Sequence, residues 1–162
     1  MKNDRNLGLI PLINFGIIIK DKPIYRCAQP HAMYQYEWLK EVLGIKHIFN
    51  LRSEASIDSK FAKILDFNVT NILIPDHKAP SFKQAAKFMN TLKTIDEPVL
   101  IHCEHGHGRT STFSVLTKIL NSFTMEEAIK DEEERFHYKF KHQIQYDFLH
   151  HCEQFHKLLI KS

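Results

Sequence analysis

The stretch HCEHGHGRT, residues 102–110, concentrates an unusual set of side chains in nine positions. It holds one of the three cysteines, three of the eleven histidines, two of the five glycines and an arginine. The apolar run PVLI stands just before it, which predicts a central strand that ends at Cys103 and a helix that begins near Arg109. Ligands of open α/β sheets lie at the carboxyl ends of strands, so this loop is the predicted functional site.

The residue types in this loop favour binding of an anion, and of a phosphate in particular. Gly106 and Gly108 allow a tight turn that brings main-chain amides inward, and the following helix N-terminus adds positive potential. Arg109, six residues after Cys103, offers a planar fork that matches two phosphate oxygens. A cysteine in such a positive cradle is expected to be a thiolate, which can attack phosphorus and form a thiophosphate intermediate.

Two other interpretations of the loop stay open. A zinc site would need convergent ligands, whereas a strand-to-helix turn points clustered side chains in different directions. A buried inert cysteine with an arginine at this spacing by coincidence is the other alternative. A Cys-x-x-Cys redox motif is absent. We therefore predict a site without metal or cofactor, and the candidate zinc ligands are His102, Cys103, His105 and His107.

Strand-like and helix-like segments alternate along the 162 residues, a length that suits one domain. Hydrophobic residues make up 43% and charged residues 25%, as in ordinary globular proteins. The pattern predicts an α/β domain with a central, mostly parallel sheet flanked by helices. Strands are predicted at 14–20, 23–29, 45–51, 68–74 and 97–103, and helices at 31–44, 56–66, 81–95, from 109, from 124 and from 142.

Local signals mark several helix ends and part of the core. Gly44 is a predicted C-terminal cap, and Ser81 is a predicted N-terminal cap. Thr124 and Glu127 have the spacing of a capping box. The aromatic and aliphatic side chains of the first helix are expected in the core, namely Tyr34, Trp38 and Leu39.

Composition limits the cellular setting and the partners. The formal charge of +3 is mild, so we expect no nucleic-acid partner. No run of eighteen apolar residues occurs, so stable membrane insertion is not expected, and the apolar piece at 7–19 is predicted to form strands. Three cysteines are an odd number, which favours reduced thiols and a cytoplasmic location. The oligomeric state stays open.

The motif Cys-x5-Arg-Thr, preceded by histidine and set between strand and helix, resembles the signature loop of the protein tyrosine phosphatase superfamily. IYRCAQP resembles the Tyr-Arg-Ser-Ala-Gln-Pro strand end of the compact dual-specificity-type branch, with Cys27 where serine is usual. IFNLRSE is similar to the strand and turn that follow the first helix in that branch. The resemblance spans roughly residues 15–155 and implies one phosphatase domain over 1–162.

The resemblance implies a role for each matching residue. Cys103 is expected to be the nucleophile, and Arg109 the phosphate clamp that also stabilises the transition state. Thr110 is expected to help the cysteine depart in the second step, and His102 to order the loop. The amide cradle for the phosphate is expected from Glu104, His105, Gly106, His107 and Gly108.

Two positions depart from the family pattern. Glu104 puts a carboxylate beside an anion site, which is tolerable only if its side chain points outward. Ser111 stands where glycine often follows the threonine. Arg52 is expected either to brace the edge of the site or to be an ordinary surface arginine.

Departure of an alkoxide or phenoxide needs a proton donor, which in the family is an aspartate on a loop before the signature strand. Asp76 follows the strand NVTNILI and is predicted to be this acid. Asp66 and Asp96 precede strands and are expected at the opposite edge of the sheet. Asp58 follows an earlier strand and is a weaker candidate.

These residues predict a cysteine-dependent phosphatase acting on phosphate monoesters, with phosphotyrosine, phosphoserine or phosphothreonine proteins as the favoured substrates. An inositol phosphate or phosphoinositide is the alternative substrate, for which His105 and His107 would replace the usual lysines. A non-catalytic phosphate-binding module and a rhodanese-like sulfurtransferase are the rival functions. A binding module would need no nucleophile. The Gly-x-Gly-Arg-Thr ending fits a phosphate-binding loop better than the cysteine loop of a sulfurtransferase.

Overall fold

The computed structural model describes residues 12–54 and 57–161, with side chains up to residue 157. Five strands form one sheet in the order β1-β2-β5-β3-β4. β1 runs antiparallel to β2, and every other neighbouring pair is parallel. The strands are β1 Gly16–Ile17, β2 Ile24–Ala28, β3 His47–Arg52, β4 Asn68–Ile74 and β5 Val99–Cys103. The predicted α/β class with a mostly parallel central sheet is confirmed.

β5 lies at the centre of the sheet between β2 and β3, and all five of its residues are buried. A strand covered on both faces needs apolar side chains pointing both ways, which explains its continuous apolar run. Its last residue, Cys103, pairs in register with Ala28 at the end of β2. The loop after β5 therefore opens at the carboxyl edge of the sheet.

Within the described part of the chain, six helices cover the two faces of the sheet. α1 and α2 pack on one face, around a cluster that includes Leu39, Phe61 and Leu100. α3 to α6 pack on the other, around a cluster that includes Phe88 and Phe113. The helices are α1 Met33–Glu41, α2 Asp58–Leu65, α3 Phe82–Leu92, α4 Gly108–Leu120, α5 Met125–Phe136 and α6 Gln143–Lys161.

Both predicted N-terminal caps are present. The Ser81 hydroxyl accepts a hydrogen bond from the Gln84 amide at 3.1 Å, and the Gln84 side chain accepts one from the Ser81 amide at 2.9 Å. Thr124 and Glu127 make the same reciprocal pair at the start of α5. Each box supplies partners for main-chain amides that a helix start leaves unpaired.

Some predicted positions were wrong. Tyr34 is 53% exposed, whereas Trp38 and Leu39 are buried as expected, because Tyr34 lies on the solvent side of α1 and Tyr36 takes the inner position. α3 ends at Leu92 rather than near residue 95, and α1 ends at Glu41, with Gly44 in the left-handed region (φ +71°) closing the turn beyond it. The predicted helix start at residue 56 and the predicted strand segment up to residue 11 lie outside the described residues.

Candidate active site

The signature loop, residues 103–109, joins the end of β5 to the start of α4. Cys103 is 3% exposed and lines a pocket of about 470 Å³. The Thr110 hydroxyl donates a hydrogen bond to the Cys103 sulfur at 2.9 Å. A hydroxyl in this position stabilises negative charge on sulfur.

Side chains from other elements hold the carbonyls of the loop. The Gly106 carbonyl accepts a hydrogen bond from Arg26 Nη2 at 2.6 Å. The His105 carbonyl accepts one from the Asn14 side-chain amide at 2.7 Å. In a trans peptide the carbonyl and the following N–H point in opposite directions. Each anchored carbonyl therefore leaves the next amide pointing away from the side chain that anchors it, an arrangement compatible with an anion cradle.

Gly106 is required by both conformation and space. Its φ of +71° is in the left-handed region, which side chains disfavour. A Cβ there would lie 2.7 Å from the main-chain nitrogen of Ala28 and 2.9 Å from the carbonyl carbon of Cys27. No backbone atom can move so far cheaply, so this turn excludes every residue but glycine.

Glu104 is turned away from the anion site, as its tolerance demands. Its carboxylate pairs with the Arg52 guanidinium, and its carbonyl accepts a hydrogen bond from the Gln29 amide at 3.0 Å. Arg52 also donates to the Gln29 side-chain oxygen at 2.9 Å and is only 12% exposed. Of the two alternatives for Arg52, the contacts favour bracing of the site edge.

Arg109 is 2% exposed and is held by Glu54. Its two terminal nitrogens donate to the two Glu54 oxygens, both at 2.8 Å, and Nη1 also donates to the Ile74 carbonyl at 2.9 Å. Its Nε has no hydrogen-bond partner within the described part of the chain, although it is buried. The Nε side of the guanidinium is thus unused by these protein contacts.

Sequence reasoning missed Glu54. Hydrogen bonds from Arg109 are the main cause that lowers the pKa of Glu54 to about 2 from its ordinary value of 4.5. Glu54 follows β3, so it shares the carboxyl edge of the sheet with the signature loop. That placement was the available signal, because carboxyl ends of parallel strands meet at one edge.

Asp76 follows β4 and lines the same pocket as Cys103 and Arg109. Its carboxylate is 54% exposed and lies 3.6 Å from Arg109 Nη2. The adjacent His77, in the left-handed region (φ +67°), has its ring nitrogen 3.6 Å from the other carboxylate oxygen. The structure thus brings the predicted acid to the mouth of the pocket.

Asp58, the weaker rival for the acid, has a different environment. It is fully buried, and its carboxylate lies 2.5 Å from His102 Nε2 and accepts a hydrogen bond from the Tyr36 hydroxyl at 2.6 Å. Burial and the Asp58 carboxylate raise the pKa of Tyr36. The other ring nitrogen of His102 lies 3.2 Å from the Cys103 carbonyl. Asp58 therefore orients His102, which fits the expected loop-ordering role of that histidine.

The two other candidates for the general acid lie at the edge of the sheet opposite the signature loop. Asp66 is the left-handed C-cap of α2 and precedes β4. Asp96 precedes β5. Both positions are at the amino ends of strands, and neither residue lines the pocket.

The mouth of the pocket is rich in basic side chains. His107 stacks on Tyr138, with ring centroids 5.5 Å apart, and His77 lies 4.5 Å from His142. Burial, followed by the charge of Arg26, lowers the pKa of His107. In the described ranges, no three His, Cys, Asp or Glu side chains are grouped closely enough to hold a metal ion. The basic lining residues are His77, His105, His107, His137, Lys139, Lys141 and His142.

The other two cysteines are unpaired thiols away from the reaction chemistry. Cys27 is fully buried and pairs in register with His102, so strand alternation puts its side chain on the sheet face opposite that of Cys103. Burial raises the pKa of Cys27 and raises that of Cys152 to about 11. Cys152 is only half-buried. These surroundings favour inert packing over the alternative of a resolving thiol at Cys27.

The model of one family, described as "PTP-SAK: Swiss Army Knife protein, DSP-PTPase phosphatase domain", matches residues 18–152. The chain belongs to this DSP-PTPase phosphatase family. The predicted resemblance to compact dual-specificity-type phosphatases is thereby confirmed. The match contains the whole signature loop, the β2 strand and Asp76.

One curated protein and two solved structures are similar to the chain. Receptor-type tyrosine-protein phosphatase eta of Gallus gallus is 27% identical over 88 residues, which cover 50% of this chain but 6% of the receptor. The core catalytic domain of the PP-IP phosphatase SIW14 from S. cerevisiae has a TM-score of 0.75 at 23% identity, covering 87% of this chain and 86% of that one. Tk-PTP in its active form has a TM-score of 0.72 at 23% identity, covering 87% and 97%. The two structures establish a shared fold.

No helix within residues 12–54 and 57–161 combines the length and apolar character needed to cross a membrane.

Proposed function

We propose that this domain is a cysteine-dependent phosphatase that hydrolyses phosphate monoesters through a cysteinyl-phosphate intermediate. Cys103 is the nucleophile, Arg109 clamps the phosphate and Asp76 is the general acid. The amides of residues 104–108 cradle the non-bridging oxygens. Family membership supports this proposal.

The observation that carries the proposal is that Arg109 uses its terminal nitrogens and its Nε differently. Glu54 occupies both terminal nitrogens, while the buried Nε–H is without a protein partner among the described residues. A buried unpaired donor is costly unless a ligand satisfies it. Arg109 and Cys103 line the same pocket, so a phosphate dianion there would accept from Nε–H and face the sulfur.

In the first step the Cys103 thiolate attacks phosphorus and the bond to the leaving oxygen breaks. Asp76 donates its proton to that oxygen, so an alcohol or phenol departs. Arg109 and the inward amides stabilise the charge on the non-bridging oxygens as the transition state forms. The product is a phosphoryl group on the cysteine sulfur.

In the second step a water attacks phosphorus and the sulfur–phosphorus bond breaks. The Asp76 carboxylate takes one proton from that water, which restores the acid. Thr110, whose hydroxyl donates to the sulfur at 2.9 Å, stabilises the departing thiolate. Inorganic phosphate leaves and the site returns to its starting state.

Hydrolysis of an aryl phosphate by the wild type and by Cys103→Ser tests this function. Serine has no accessible oxyanion at neutral pH, so turnover should vanish while the thermal unfolding temperature stays close to that of the wild type. Cys103→Ser turnover within about tenfold of wild type would contradict the mechanism. Binding of phosphate without hydrolysis by the wild type would support the binding module instead, and sulfur transfer from thiosulfate would support the sulfurtransferase.

Phosphotyrosine, phosphoserine or phosphothreonine proteins are the first proposed substrates, since the Asp76 side chain is 54% exposed and a phosphorylated protein side chain can reach it. A second candidate is a small molecule with several phosphates, such as an inositol phosphate. The seven basic side chains that line the mouth favour it, because a single phosphate occupies only the loop. SIW14 is described as a PP-IP phosphatase, which gives the same candidate. Initial rates on matched phosphopeptides and inositol phosphates decide between the two classes.

We also propose a cytoplasmic location, which the three unpaired thiols support.

A further inference from the structure

Arg26 and Glu132 form an ion pair in the interior, and both are fully buried. One terminal nitrogen of Arg26 donates to a Glu132 oxygen, and the other Glu132 oxygen accepts from Ser114 and from Lys118, the latter at 2.9 Å. Removing two charges from water is costly, so a buried ion pair is weak evidence for a purely stabilising role. Its other contacts indicate what else it does.

The second terminal nitrogen of Arg26 reaches the signature loop. Nη2 donates to the Gly106 carbonyl at 2.6 Å and lies 3.2 Å from the Ser111 hydroxyl. The guanidinium lies 4.0 Å from the centre of the Phe136 ring. One side of the planar guanidinium is thus held by Glu132, and the other side donates a hydrogen bond to the loop. Ser111, which departs from the family pattern, is one of its acceptors.

The Gly106 carbonyl and the His107 N–H belong to the same trans peptide, so they point in opposite directions. Holding the carbonyl against Arg26 points the His107 amide to the concave side. We propose that Arg26, aimed by Glu132, is a positioning residue that turns the His107 amide into the phosphate cradle. This proposal rests on the proposed function, because it needs a phosphate bound in the loop.

Arg135 offers a matched control for a merely structural role. It joins the same ion network through Asp131, at 2.7 and 2.8 Å, and Asp131 pairs with Lys118. Its remaining hydrogen bonds in the described structure go to the carbonyls of residues 17 and 18, not to the signature loop. Loss of Arg135 therefore weakens the network without releasing Gly106.

The test compares Arg26→Met, the double variant Arg26→Met with Glu132→Met, and Arg135→Met. Orthovanadate inhibition and kcat on an aryl phosphate report the cradle, and thermal unfolding reports stability. Arg26→Met should weaken vanadate inhibition about 10–100-fold, the loss expected for one misdirected donor to an anion. The double variant leaves neither partner of the pair charged, and Lys118 keeps Asp131 at 2.7 Å as its partner, so it should show the same loss. Arg135→Met should change the inhibition constant less than about twofold.

Several results would overturn the proposal. The first is a vanadate inhibition constant within about twofold of the wild-type value in folded Arg26→Met or in the folded double variant. An equal loss in Arg135→Met is another, because the effect would then follow stability. If neither Arg26 variant folds, amide exchange in the unaltered protein decides: vanadate should slow exchange at His107, and no slowing would contradict the inward amide. An inactive wild type would instead refute the proposed function itself.

Discussion

The floor and the mouth of the pocket differ in how firmly they are held. The floor consists of Cys103 and Arg109, with exposures of 3% and 2%. The buried Thr110 donates to the Cys103 sulfur from behind it, and Arg109 donates to the Ile74 carbonyl. At the mouth, the side chains of Asp76 and His77 are 54% and 66% exposed. In the proposed mechanism, binding and attack on phosphorus would therefore depend on groups fixed by folding, and proton transfer would depend on a group that solvent reaches.

This difference separates two properties of the enzyme. Groups on the floor are held in place by folding, so in the proposed mechanism they would stabilise the transition state without rearranging during the reaction. Groups at the mouth are screened by water and salt, so each contributes little to binding alone. Substitutions on the floor should therefore reduce turnover of every substrate, whereas substitutions at the mouth should discriminate among substrates.

Asp76→Asn is the substitution at the mouth with the largest expected effect. It should lower kcat about 10²–10⁴-fold on alkyl phosphates, whose leaving group needs a proton. The loss should shrink on an activated aryl phosphate, and the basic limb of the pH–rate profile should flatten. Stability should hardly change, because the side chain is exposed. Equal losses on both substrates, or a larger loss on alkyl phosphates from Asp58→Asn in a folded protein, would move the assignment elsewhere.

Arg109→Lys tests the floor. Arginine can donate to Glu54 and to a phosphate from separate edges of its guanidinium, whereas a lysine ammonium has no such edges. The kcat on the aryl phosphate should therefore fall about 10²–10³-fold. The loss should be similar on alkyl phosphates, in contrast to Asp76→Asn. Steady-state kinetics on both substrates measure this, and a kcat near that of wild type would refute the clamp.

Lys141→Gln tests the basic mouth. The rate constant kcat/KM for an inositol polyphosphate or a doubly phosphorylated peptide should fall about two- to fivefold at low salt, as expected for one exposed charge. Turnover of a small aryl phosphate should change less. Lys130→Gln, an exposed lysine on α5 outside the pocket lining, is the matched control. Equal effects of the two lysine substitutions would show that Lys141 at the mouth does not contribute to substrate selection.

Glu54→Gln should lower the stability of the fold slightly, with a defined pH dependence. The folded pKa of about 2 lies below the ordinary 4.5, so Glu54 stabilises the fold fully above pH 4.5 and loses this contribution as the pH falls toward 2. The side chain is 41% exposed, which limits the contribution to below about 1 kcal/mol. Urea unfolding of both proteins at pH 6 and pH 3 should show a difference that shrinks at pH 3. A difference that grows there would contradict the pairing.

Local sequence was enough to predict the signature loop and its surroundings. The apolar run of β5, the glycines after it and the two capping boxes act over a few residues, and each occurs where predicted. Asp76 was placed at the correct sheet edge, because a residue that follows a parallel strand must lie there. Its catalytic role stays a prediction.

Partners that meet only in the folded chain could not be predicted. Glu54 and Arg109 are 55 positions apart, and Arg26 and Glu132 are 106 apart. Glu132 stands in the charged run DEEER, residues 131–135, yet it is fully buried and paired with Arg26. Periodicity places a residue on a helix face but does not say which opposite charge will face it.

The central claim is that Cys103 carries the phosphoryl group during turnover. The Asp76→Asn variant mixed with an activated aryl phosphate should accumulate this intermediate, since the first step needs no acid and the second lacks its base. Acid quenching followed by mass spectrometry should find one phosphoryl group on the peptide that contains Cys103, and none after Cys103→Ser. Absence of the adduct during rapid turnover, or its appearance on a histidine of the signature loop, would contradict the account.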